Sequence, residues 1–218
     1  MVKPPYIPWF IKNAVYEEYM GRQAINYFKL ESQIVIETKG RFIMTYEEII
    51  QFHGHECPGL AMGYRMATAA MTRLDSIRAE DEEIVAIVEN DACGVDALQC
   101  VTGCTFGKGN LIFRNYGKHV FTIYCRSSRS GVRVYFHGDG IPEELREDRS
   151  ALTKWIMSAS RDSLLSIEPT SIPEPEPAKI RNSIPCSFCG ENVMESRINQ
   201  LNGKPACIPC FEQQQKSA

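Results

Sequence analysis

The chain has 218 residues, 44% of them hydrophobic, enough for one substantial core or for a core and a small module. A formal net charge of -3 gives no bulk attraction to nucleic acid or to an anionic membrane. No apolar run approaches bilayer length, and the opening MVKPPYIPWFIKNAVYEEYM has prolines and charges where a signal peptide is apolar, so a cytoplasmic protein is expected.

In chain order, residues 11–31 read as a helix with Ile11, Val15, Tyr19 and Ala24 near one stripe. The stretch TYEE spells a capping box, with Thr45 at the N-cap and Glu48 reaching back. A short helix then leads into HGHECPG. Pro58 suits the first turn of the next helix, where its missing N–H is not needed, and this makes Cys57 the N-cap. The run IVAIVE over 84–89 reads as a buried strand. A helix is expected over 94–102, strands near 110–114, 119–125 and 131–137, and helical segments over 142–166. Helices and strands in blocks point to an α+β fold. The segment EPTSIPEPEPAKIRNS cannot build a core and reads as a semi-rigid linker. The expected domains are therefore 1–167, a linker over 168–183, and a module over 184–218.

Nine cysteines in a reducing compartment suggest metal or redox chemistry rather than disulfides. Cys186-x2-Cys189, seventeen residues, then Cys207-x2-Cys210 is the spacing of a four-cysteine zinc site. A module this small needs the metal for its folding energy. Its Arg197, Lys204 and Lys216 are balanced by Glu191, Glu195 and Glu212, so nucleic acid is not indicated.

The upstream cluster is less conventional. Cys57 at a helix start gains thiolate character, and His53 and His55 flank it. Imidazole with thiolate is either a transition-metal ligand set or a nucleophile with its base. In NDACGVDALQCVTGCTFGKGN, Cys93, Cys100 and Cys104 fall on one stripe if the segment is helical, at about 100° per residue. Gly103 is expected to end that helix, leaving Cys104 just beyond it. Cys100 reads as a small hydrophobe of the core. Cys93, where a strand ends, is better placed as a ligand, and Asp96 and Lys108 add acid–base or anion-binding capacity. GCTFGKGN is not a P-loop: three residues, not four, precede Gly107-Lys108, and Gly109 follows the lysine. HGHEC and NDAC are expected to converge on one site, with Cys104 and Lys108 at its rim. The small residues Gly59, Ala61, Gly63, Ala67 and Ala70, with Trp9 and Phe10 of the first helix, suggest a homodimer.

FHGHECPGLAMGYR followed by NDACGVDALQCVTGCTFGKGNL resembles the FmdE family of formylmethanofuran dehydrogenase proteins, over about residues 45–165. The resemblance implies an α+β domain that dimerises. It carries the HxHxC and DxC elements onto His53, His55, Cys57 and Cys93, with Gly103, Cys104, Gly107 and Lys108 in a glycine-rich turn. The cysteine module is similar to an appended zinc-ribbon or treble-clef domain. The family name implies association with a molybdenum or tungsten enzyme that fixes CO2 as a formyl group. Three functions stay open: an accessory or redox subunit of that system, a stand-alone metal-dependent enzyme with a second metal on His55, Cys57 and Cys93, or a zinc-ribbon regulator or adaptor.

Overall fold

The computed structural model describes residues 44–216; the helix expected over 11–31, with Trp9 and Phe10, lies outside them. Helix α1 spans Tyr46–His53. Its capping box is complete: Glu48 N–H donates to Thr45 Oγ1 at 3.2 Å and Thr45 N–H to Glu48 Oε2 at 2.7 Å. Gly54 ends it with φ at 97°, a left-handed turn that suits glycine. Three residues later the chain enters α2, Pro58–Arg73, with proline at its start. So α1 delivers His53 on its last turn and α2 receives Cys57 as its cap.

The main sheet takes β1 (Ile84–Val88), β2 (Leu111–Phe113), β3 (Val120–Cys125), β4 (Ser130–Phe136) and β5 (Leu165–Thr170) in the order β2-β1-β3-β4-β5. β1 and β2 are parallel and joined by α3, Gly94–Thr102; the other pairs are antiparallel. Helix α4, Arg149–Ser158, completes the helical layer. Alternate strand residues, among them Ile84, Ala86 and Val88 of β1 and Phe121 and Ile123 of β3, join Leu60, Ala67, Leu98 and Ile156 of the helices in one core. This is the expected α+β architecture, a helical layer against a mixed sheet.

Two expectations are corrected. The helical segments expected over 142–166 are present as Glu143–Leu145, α4 and Arg161–Ser163, but the segment expected as linker from 168 begins as strand. After α4 and a short 3-10 turn the chain adds β5, whose residues pair with β4 from Gly131↔Thr170 to Phe136↔Leu165. The strand carries Pro169, tolerated because β5 lies at the sheet edge, and a proline there gives the segment the look of a linker. The small residues of α2 do not present a surface to a partner copy. Ala61, Ala67 and Ala70 are fully buried, and a Cβ on Gly63 would sit 2.1 Å from the Gly94 carbonyl oxygen. They let α2 and α3 pack backbone to backbone within one chain.

Regular structure ends at Thr170 and resumes at β6, Ser183–Pro185. Between them the chain is pinned to one end of the sheet. Arg126, just after β3, donates from Nη1 to Pro175 O at 2.7 Å and to Glu174 Oε1 at 3.1 Å, while its Nε bonds Glu82 O. The Glu82 carboxylate accepts Ala178 N–H at 2.9 Å. The module follows as β6, β7 (Asn192–Met194), β8 (Ile198–Leu201), β9 (Lys204–Cys207) and α5 (Ile208–Lys216), with β6–β7 and β8–β9 as separate two-stranded sheets. No helix among the described residues is long and apolar enough to cross a membrane.

Two candidate metal centres

The first centre forms where α1 ends and α2 begins. His53, His55 and Cys57 each offer one ligand atom, all within 4.8 Å of one another. His53 Nδ1 meets Asp96 Oδ2 at 2.7 Å, which turns Nε2 toward Cys57 Sγ at 4.0 Å. A carboxylate on one ring nitrogen fixes the tautomer and aims the other at a metal or a thiol. The His55 ring lies beside that of His53, centroids 4.6 Å apart. Cys57 is buried, and its sulfur accepts the Leu60 N–H at 3.4 Å, so the thiol caps its own helix. Asp96 stands in the first turn of α3, three residues after Cys93. Its link to His53 spans 43 residues, and no local spacing announces it.

Cys93, at the N-cap position of α3 but without a side-chain cap bond, reaches the same place by a different route. A Cβ built on Gly59 would meet the Cys93 and Cys57 sulfurs at 3.8 and 3.9 Å. Burial and then hydrogen bonding to Cys57 push the Cys93 thiol above its ordinary range. Cys93 thus borders the His–Cys cluster. Cys104 and Lys108, expected at its rim, are not brought there. Both follow Gly103, which ends α3, whereas Cys93 stands at its start, about 13 Å away along the helix axis. Cys104 is fully buried and donates to Ile84 O; burial pushes its thiol up to about 11. Lys108 Nζ holds Ala79 O and Glu80 O at 3.4 and 3.1 Å, a structural bond across the loop before β1. Cys100 is a buried member of the core.

The second centre is the module. The ligand atoms of Cys186, Cys189, Cys207 and Cys210 lie within 4.8 Å of one another. Cys186 and Cys189 sit on the turn after β6, Cys207 ends β9, and Cys210 lies in the first turn of α5. The Cys207 and Phe188 N–H groups donate to Cys186 Sγ at 3.3 and 3.5 Å. The Cys207 N–H leads in holding the Cys186 thiol down to about 6, while hydrogen bonding to Cys207 pushes Cys210 up to about 12. Four sulfurs this close cannot all ionise unaided; a divalent cation removes the conflict. A closed set of four thiolates suits a structural ion and fits zinc. The helix carrying the last cysteine makes the arrangement treble-clef-like rather than ribbon-like.

An α+β domain with a thiol–imidazole cluster at a helix start, followed by a four-cysteine module, defines a metal-binding class of protein. The profile described as "FmdE, Molybdenum formylmethanofuran dehydrogenase operon" matches residues 52–169, more than half of the sequence, and the chain belongs to the FmdE family. Among solved structures, a tungsten formylmethanofuran dehydrogenase FmdE-like protein from Syntrophus aciditrophicus is similar, with a TM-score of 0.61 and 26% identity, over 81% of this chain and 98% of that one. A curated relative, named a probable S-adenosyl-L-methionine-binding protein, from Archaeoglobus fulgidus, is 32% identical over 73% of this chain and 50% of its own length. The chain thus spans about half the length of that relative.

Proposed function

We propose that the chain is an accessory or redox subunit, working in the cytoplasm, of a molybdenum- or tungsten-linked system that converts CO2 to a formyl group. In this reading the module carries one structural zinc on Cys186, Cys189, Cys207 and Cys210. The main domain carries a second, exchangeable transition metal on His53, His55 and Cys57, with Cys93 adjoining. The single observation that carries it is the convergence of three ligand atoms within 4.8 Å, with His53 backed by Asp96. The donor set fits a borderline metal, and the carboxylate behind the imidazole is the usual outer support of such a ligand. A metal with an open position there would supply Lewis-acid chemistry. The chain's own groups orient: Asp96 holds the His53 ring so that Nε2 faces the position beside the Cys57 sulfur. Homodimerisation stays in the reading through the family resemblance alone, since the α2 surface no longer argues for it. Only half of the curated relative is matched, so its ligand is left with that protein.

A second reading, a stand-alone enzyme, rests on the same carboxylate–imidazole–thiol series, which without metal is a nucleophile with its oriented base. Metal content of the purified full chain separates the two. Two metals per chain, one lost to a mild chelator, support the first; one metal with a Cys57 that alkylates rapidly supports the second. Co-purification from the native host tests the accessory role, and recovery without any molybdenum or tungsten enzyme would remove it. Sedimentation showing only a 24.7 kDa species at micromolar concentration would remove the dimer.

A further inference from the structure

Two helix starts face each other where α2 and α3 cross. Cys57 caps one through its sulfur, and Cys93 stands at the N-cap position of the other with its sulfur making no cap bond. Both sulfurs lie within 4 Å of the point that a Gly59 Cβ would occupy, at 3.9 and 3.8 Å, and the Cys93 Cβ is 3.2 Å from it. Gly59 has no side chain to part them, so the space both sulfurs border is open to them. Two other cysteines of the main domain are engaged elsewhere. Cys104 Sγ is committed to Ile84 O, and Cys125 Sγ lies 3.2 Å from Ser127 Oγ. Exposure differs across the pair: Cys57 is 3% exposed, whereas Cys93 is partly open to solvent.

We infer that Cys57 and Cys93 form a reversible dithiol–disulfide pair whose oxidant is a low-molecular-weight disulfide. The Cys93 sulfur, the one solvent reaches, attacks one sulfur of the incoming disulfide. The oxidant's S–S bond breaks, and its first half leaves as a thiol. The Cys57 sulfur then attacks the Cys93 sulfur of the mixed disulfide, and the second half leaves as a thiol. Two protein thiols lose two protons and two electrons, and the oxidant gains them. The pair needs no metal. If the second metal of the proposed function is present, the bond takes the Cys57 thiolate away from it, so oxidation empties that centre while the zinc module is untouched; this consequence rests on the proposed function.

The test uses the reduced full chain, with and without prior EDTA, treated with oxidised glutathione, alkylated and mapped by peptide mass spectrometry. The expected result is a peptide containing Cys57 joined to one containing Cys93, with loss of both free thiols and their recovery on adding dithiothreitol. In Cys57→Ser the reaction stops at glutathione bound to Cys93; in Cys93→Ser, Cys57 stays a free thiol. A cross-link only after EDTA supports the pair and shows a metal guarding it. Both thiols alkylated in both arms, or a mixed disulfide on Cys93 that persists in the wild type, overturns it. Should Cys57→Ser fail to fold, the wild-type map and Cys93→Ser decide. Elemental analysis of the reduced protein keeps the two readings apart: absence of a second metal removes the metal centre but not the pair, and absence of the cross-link removes the pair but not the metal.

Discussion

The module brings its four sulfurs together from one turn, the end of a four-residue strand and the first turn of a helix, and only Cys186, Ala206 and Cys207 are buried in it. Two of its three buried residues are thus ligands. Around Cys57 the supports are helices of 8, 16 and 9 residues fixed in a continuous core. The same donor chemistry is held by opposite means. In the module an ion held by the four sulfurs would serve as the core. In the main domain packing builds the cluster beforehand, so in the proposed reading a metal there would come and go without the fold. Pre-built sites suit exchange; metal-built ones suit permanence.

The sharpest way to break this contrast is to remove a ligand from each centre. Cys207→Ser is expected to release the module's metal and unfold residues 183–216, seen as loss of one zinc per chain and rapid proteolysis there, with the main domain's melting unchanged. A melting point that falls for both regions together would refute the division. Next in size is Gly63→Ala. Its methyl would stand 2.1 Å from the Gly94 carbonyl oxygen, so the α2–α3 crossing must open, at a cost on the order of 3 kcal/mol in denaturant unfolding. The module's zinc should stay. Asp96→Asn tests whether packing alone aims the ligand. We expect roughly 10- to 100-fold weaker binding of the second metal by isothermal titration, with stability little changed. Undiminished affinity would show that His53 needs no carboxylate.

The smallest effect is in the pH dependence. Burial raises the Cys104 thiol from 9 to about 11, so the neutral form is favoured by folding. That contribution is complete below pH 9 and is lost as the pH rises toward 11. Cys104→Ala should flatten this alkaline limb in denaturation curves measured across the range; an unaltered slope would assign it to other groups.

Much of the fold is legible in the sequence because the signals are local. Thr45 and Glu48 meet within one turn, Pro58 marks a helix start, Gly103 a helix end, and the continuous apolar run of β1 is buried at all five positions. What escapes is non-local or ambiguous. Asp96 finds His53 only because α3 packs beside α1. Cys104 and Lys108 lie near Cys93 in sequence, yet a nine-residue helix carries them to the far end. β5 is hidden by Pro169, a residue equally at home in a linker and on a sheet edge. The small residues of α2 fit a contact between chains as well as one within a chain, and pattern alone does not choose.

The clamp of Arg126 and Glu82 on residues 174–178 changes what the proline-rich segment is for. On the module's side Glu195 N–H bonds Asn182 O, which leaves Lys179, Ile180 and Arg181 to bridge the two anchors. The four steps from Ala178 to Asn182 reach roughly 14 Å when fully extended. The module is therefore leashed to the end of the sheet where β1 begins and β3 finishes, rather than trailing on a long arm. Anything it grips is kept at high local concentration beside that end of the domain, and lengthening the leash would dilute it.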